Sequence, residues 1–146
     1  MKCNCKTVLL GAIAFTVLAQ VVHTISSALT MGWYTNPAYF GVWSKVMMPA
    51  AGPPPMSFFY LSIIFSFLVG MIFALTWDVV KKGLPGKGLC KGSWYGLLLF
   101  LVAGVPAALN NFLLFNLPMP LLLAWTFIDG LVIFLLAGMA FSKISP

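Results

Sequence analysis

Residues 119–141 read MPLLLAWTFIDGLVIFLLAGMAF, an apolar run broken by one carboxylate, Asp129. Crossing about 30 Å of hydrocarbon takes roughly 20 helical residues, so this run is long enough to span a bilayer. An ionised carboxylate is expensive at that depth, and Asp129 must therefore be paired, solvated or protonated. Fold and function both turn on this stretch and on what surrounds its acid.

Runs of similar size lie upstream at about 7–31, 56–80 and 93–115. Together the runs predict an all-α integral membrane protein, a four-transmembrane-helix bundle occupying 1–146 as a single membrane domain. Composition agrees: of 146 residues 62% are hydrophobic and 7% charged, with Asp78 and Asp129 the only acids. Glycine and proline inside the runs are admissible because neighbouring helices absorb the local irregularity. Serine nucleophile elbows, metalloprotease helices and dinucleotide fingerprints are absent from the sequence.

The lysines set the expected orientation. Lys2 and Lys6 precede the first run, Lys81, Lys82, Lys87 and Lys91 fill the second connection, and Lys143 follows the fourth run. An even number of crossings puts all of these on one side and leaves Lys45 opposite, so both termini are expected in the cytoplasm of a bacterial inner (plasma) membrane. The net charge of +6 then reads as a topology signal and an attraction to anionic lipid. It is not a nucleic-acid surface, because the charges are few and divided among loops. Lys2 and Lys6 ahead of the apolar Val8 to Val22 also fit a secretory leader with Ser26-Ser27-Ala28 as its cleavage site. The expectation adopted is a retained first span.

The outer connection, 32–55, is the long one. Asn36 followed by Pro37 is a helix-start signal and Pro49 a stop. Trp33, Tyr34, Tyr39 and Trp43 suit an interfacial belt at headgroup level, with a partner-binding lid as the alternative. A tight turn at Asn116-Leu117-Pro118-Met119-Pro120 makes the third and fourth spans antiparallel neighbours. Gly11, Phe15 and Ala19 mark one contact side of the first span, Gly70 and Ala74 one of the second, and Gly130, Ala137 and Gly138 one of the fourth. Pro106 predicts a kink in the third span, eased by Gly104.

Polar residues within the spans are the candidate machinery. Gln20, His23 and Ser27 share a helical face. His23 and Asn110 are expected at similar depths, about 24 Å from the inner ends of their spans, and Asp129 lies about 16 Å from the outer end of its own. Asp129, His23, Gln20, Asn110 and Asn111 thus form a candidate polar pocket. Histidine changes charge near neutral pH and an intramembrane carboxylate can hold a proton, so the set can couple protonation to cargo movement. The plainer reading is a set of packing hydrogen bonds. Asp78, three and four residues before Lys81 and Lys82, reads as an ionic fringe.

Cys3, Cys5 and Cys90 fall on the expected cytoplasmic side, where thiols stay reduced. They are a candidate three-coordinate site for a soft metal ion; no other cofactor is expected. The sequence therefore reads as a small transporter or ion/proton-coupled carrier of an unidentified solute. A non-catalytic membrane scaffold or assembly partner is the first alternative, and a membrane-embedded enzyme using His23 and Asp129 as general acid and base is the second. Membrane lipids are the expected surroundings, a membrane-protein partner is the further candidate, and no nucleic acid is expected. Four helices enclose only a narrow polar centre, which favours a homo-oligomer.

Overall fold

A computed structural model of the chain describes residues 5–50 and 53–146. Its long helices are α1 (Cys5–Leu29), α2 (Met56–Val80), α3 (Gly88–Leu114) and α4 (Met119–Ile144), each long and apolar enough to cross a membrane. Leu9, Val17, Ile64, Phe65 and Leu113 are exposed on the bundle surface. In water such a surface would be prohibitive, whereas hydrocarbon is its natural solvent. Only 11% of the apolar window is buried in each of α2 and α3, so the protein-facing stripe on these helices is narrow. The described part of the chain is therefore an all-α protein consistent with a four-transmembrane bundle and with membrane lipid as its surroundings.

Small residues decide which helices touch. In α3, Gly92 and Gly96 face Gly138 of α4: a Cβ on Gly96 would land on the Phe134 carbonyl, and one on Gly138 would land on the Gly92 carbonyl. In α2, a Cβ on Gly70 would come within 2.9 Å of both the Ala12 Cα and the Phe15 Cβ of α1, while one on Gly11 would meet Ala74 at 2.8 Å. These approaches place α1 between α2 and α4, with α3 on the far side of α4. Where lipid tails are as apolar as the side chains, such close backbone contact gives dispersion its grip.

At the end that carries Cys5 and Pro146, the helices close around an aromatic cluster. Trp77, Tyr95 and Phe141 are fully buried there. Trp77 meets Tyr95 edge-on at 5.2 Å, and Phe73 sits edge-on between Phe15 at 5.4 Å and Phe134 at 5.6 Å. Tyr95 resolves its polar end by donating its hydroxyl to the Phe73 carbonyl at 2.6 Å, which ties α3 to α2. Trp77 Nε1 donates to the Ser145 carbonyl at 2.9 Å. Lys81 Nζ reaches Ser145 Oγ at 2.6 Å and Asp78 Oδ1 at 3.1 Å, so the ionic fringe also straps the end of the chain to α2.

The opposite end is built differently. Asn36 Oδ1 accepts from the Ala38 amide at 3.0 Å and starts a 3-10 turn over Pro37–Val42; the start is where its sequence signal predicts, but the turn ends at Val42, well before the expected stop at Pro49. The connection then folds inward. Tyr34 and Trp43 lie 5.0 Å apart, Trp43 and Trp125 5.9 Å, and Trp125 Nε1 donates to the Tyr34 hydroxyl at 2.9 Å.

Two π-helical segments interrupt the regular spans, Phe100–Gly104 in α3 and Trp125–Val132 in α4. The first ends two residues before Pro106, so the missing proline donor is absorbed by local widening. The second encloses Asp129. α3 also begins a turn earlier than its apolar run, at Gly88, because the turn before it is made by Gly86 at φ 82 and Gly88 at φ 53, values open to glycine without strain.

Candidate functional site

The small-residue contacts fix which residues share a level. In α3 and α4, Gly92 meets Gly138 and Gly96 meets Phe134, so antiparallel counting puts Asp129 level with Leu101 and Asn110 level with Pro120. At 1.5 Å per residue, Asp129 is about 15 Å from the outer end of α4 and about 22 Å from its inner end. That is within the hydrocarbon of any bilayer these helices span.

At this level α1 supplies two partners. His23 Nδ1 lies 3.2 Å from Asp129 Oδ1, and Ser26 Oγ donates to Asp129 Oδ2 at 3.3 Å. Ser26 is 1% exposed, a buried hydroxyl held against α4. The His23 approach is at ion-pair distance but lacks hydrogen-bond geometry, so Asp129 Oδ1 is shielded from solvent without a hydrogen-bond donor. Buried acceptors in that condition are uncommon and costly.

The two ionisable partners differ sharply in access: the Asp129 side chain is 12% exposed and that of His23 50%. Helical position explains the difference. Ser26 faces α4, Gln20 faces α2, and His23 falls on the sector of α1 between them. All buried residues of α2 are Gly70, Ala74 and Trp77, in its inner half, and Val105–Leu114 of α3 contains none. The outer halves of α2 and α3 therefore cover little of α1 and α4 at this height, and the imidazole stands on the exposed side of α1 with the carboxylate behind it.

Gln20 lies one turn further in and is engaged elsewhere. Its Nε2 donates to Ser62 Oγ at 3.0 Å and Ser66 Oγ at 3.2 Å on α2. Asn110 and Asn111 stand nine residues further out than the Asp129 level, about 13 Å away along the axis, so the expected shared depth of His23 and Asn110 is not what the α3–α4 register gives. The reason is that α3 starts deeper than its apolar run suggested. Among the described residues neither asparagine has a side-chain hydrogen bond.

Ser26 lies outside the polar set expected from the sequence. The signal was present: the contact stripe Gly11, Phe15, Ala19, Val22 continues to Ser26, the first polar residue on a face otherwise made for packing.

Cys5 and Cys90 are both exposed, and Cys3 lies outside the described residues. Among the described residues no group of three or more His, Cys, Asp and Glu side chains is gathered for a metal ion.

Chemically, the arrangement can hold and exchange one proton. With a single proton shared between His23 and Asp129 the pair is neutral overall, either as imidazolium and carboxylate or as imidazole and carboxylic acid. No known family model, curated protein or solved structure matches this chain.

Proposed function

We propose that this protein is a small proton- or cation-coupled carrier in which Asp129 is the binding carboxylate, Ser26 orients it and His23 relays protons between it and the exposed side of α1. The observation that carries this reading is the unequal exposure of the pair: a carboxylate with an undonated buried oxygen behind a half-exposed imidazole. A purely structural pair gains most when both members are buried and satisfied. A relay needs one member within reach of the exchanging medium and the other shielded from it. The π-helical segment around Asp129 supports the same reading, because such local widening is frequent at functional sites.

The lysine distribution supports an orientation with both termini cytoplasmic, in a bacterial plasma membrane. The outer halves of α2 and α3 and the imidazole of His23 are exposed, so a second copy or further subunits closing over them would complete a path. The test is flux into proteoliposomes containing wild type or Asp129→Asn, screened across small solutes and cations with and without a pH gradient. Loss of flux in a variant that keeps its helical content and monodispersity is expected. Equal flux in the two proteins overturns the reading.

A second reading, a membrane assembly partner, is favoured by a different observation. Val105–Leu114 buries nothing yet carries Asn110 and Asn111, two amides suited to hydrogen bonds across a helix interface. Co-purification of a single stoichiometric membrane partner, lost in Asn110→Leu with Asn111→Leu while flux is absent from both proteins, would favour it over the carrier.

A further inference from the structure

We infer, resting on the carrier reading, that the His23–Asp129–Ser26 site exchanges one alkali-metal cation for one proton and moves no net charge across the membrane.

Charge balance carries the first step. On the elements packed around the site, α1 contributes His23 and α4 contributes Asp129. On α2, Ser62 and Ser66 are engaged by Gln20 one turn further in, and the facing level of α3 is apolar around Leu101. Apart from the phenol of Tyr60 on α2, no other ionisable side chain lies near this depth among the described residues, so a charge the pair gains or loses meets no opposite charge in hydrocarbon, where it is strongly disfavoured. A cation that enters must therefore displace a proton. Written out, the imidazolium–carboxylate pair takes up M⁺, the imidazolium releases H⁺ from its exposed side, and the product is neutral imidazole beside a carboxylate–M⁺ pair. Both sides carry the same charge, and no bond is oxidised or reduced. A divalent ion in the same place would leave an excess positive charge, which excludes it on the same ground.

The donor set carries the second step. The atoms available to a cation are Asp129 Oδ1, which accepts no hydrogen bond, Asp129 Oδ2 and Ser26 Oγ, 3.3 Å apart. All are hard oxygen donors, suited to alkali cations and poorly suited to soft metals. Access is by way of His23, which must swing aside to admit the cation. Its neutral form lacks the attraction that holds it against the carboxylate, so proton loss and opening are the same event. The shielding of Oδ1 limits the guest to a small ion, which argues for Na⁺ or K⁺ over an organic cation.

The experiment uses wild-type protein in proteoliposomes loaded with Na⁺ or K⁺, with an internal pH dye and an imposed membrane potential. An outward cation gradient should drive proton uptake at one proton per cation, with less than twofold change in rate between zero and 100 mV. One uncompensated charge would instead bias accumulation about fiftyfold at 100 mV. A second measurement needs neither a variant nor a vesicle: adding NaCl or KCl to weakly buffered protein in detergent should release about one proton per cation bound. Potential-driven cation uptake, or cation binding without proton release, overturns this inference and leaves the carrier reading standing. Asp129-dependent flux of another solute with none of Na⁺ or K⁺ does the same. No Asp129-dependent flux of any kind overturns the carrier reading itself.

Discussion

Ser26 on α1 and Asp129 on α4 are joined by a hydroxyl-to-carboxylate hydrogen bond of 3.3 Å, beside the 3.2 Å approach of His23 to the same carboxylate. The bond sits at the edge of the stripe of small and apolar residues that lets α1 and α4 approach. It therefore orients the carboxylate and helps to fix the pairing of the two central helices.

Replacing Ser26 with Ala should lower stability by about 1 kcal/mol, within the range of interhelical polar bonds in membranes. The lost volume is a single oxygen, so packing contributes little. Unfolding in mixed micelles measures the change. A double-mutant cycle with Asp129→Asn should recover most of it as coupling between the two sites. Full additivity would mean that the bond contributes nothing.

The α3–α4 contact gives a sharper contrast. Gly96→Val and Gly138→Val place side-chain atoms on backbone carbonyls of the opposite helix, which cannot move aside as a side-chain tip can. A loss of about 3 kcal/mol is expected, the upper end of overpacking costs. Gly130→Ala is the control: the nearest atom to its new Cβ would be the Trp125 carbonyl at 3.5 Å, an ordinary contact, and thermal stability should barely change. Similar losses at Gly96 and Gly130 would contradict the packing described.

The outer connection hangs on Trp125. Changing Trp125 to Phe keeps a ring against Trp43 and removes the N–H that reaches Tyr34 at 2.9 Å. Amide exchange over Pro37–Val42 should quicken roughly twofold to tenfold, as expected for one hydrogen bond. Tyr34→Phe should produce the same pattern, because it removes the acceptor of the same bond. Unchanged exchange in both variants would show that the loop is held by its rings alone.

At the terminal end, Lys81→Met should cost about 0.5 kcal/mol. The Lys81–Asp78 pair is 3.1 Å long but still partly exposed, and solvent screens it. Asp78 retains its bond from Ser145 Oγ at 3.1 Å, which further limits the loss. The effect should shrink in 1 M salt; a salt-independent effect would point to lost packing by the lysine stem.

Much of this architecture can be read from the chain because lipid imposes a length and a composition on every crossing. Asn36-Pro37 and the apolar runs are local signals, and local signals place helices well. The site was less visible. His23 and Asp129 stand out because charge is rare in such a sequence, but which partner each meets depends on helix register. That register is set by Gly92, Gly96 and Gly138, whose meeting cannot be inferred from either helix alone. Gln20 shares a face with His23 by periodicity, yet the two diverge because α2 and α4 approach that face from opposite sides. The π-helical segment around Asp129 has no proline to announce it.

That divergence yields a functional prediction that separates shell from scaffold. Gln20→Leu removes the bonds to Ser62 and Ser66 and leaves two hydroxyls that can turn to carbonyls of their own helix. Its effect should fall on the α1–α2 pairing, as a stability loss of about 1 kcal/mol, while flux per folded molecule stays within about twofold of wild type. His23→Leu should behave in the opposite way. The half-exposed imidazole contributes little packing, so stability should change little, yet the relay is removed and flux should fall at least tenfold, as expected for loss of a positioned proton-transfer group. Measuring flux and unfolding on the same preparations decides the matter. If Gln20→Leu abolishes flux in a stable protein, the working site extends to α2 and the carboxylate is not its only anchor.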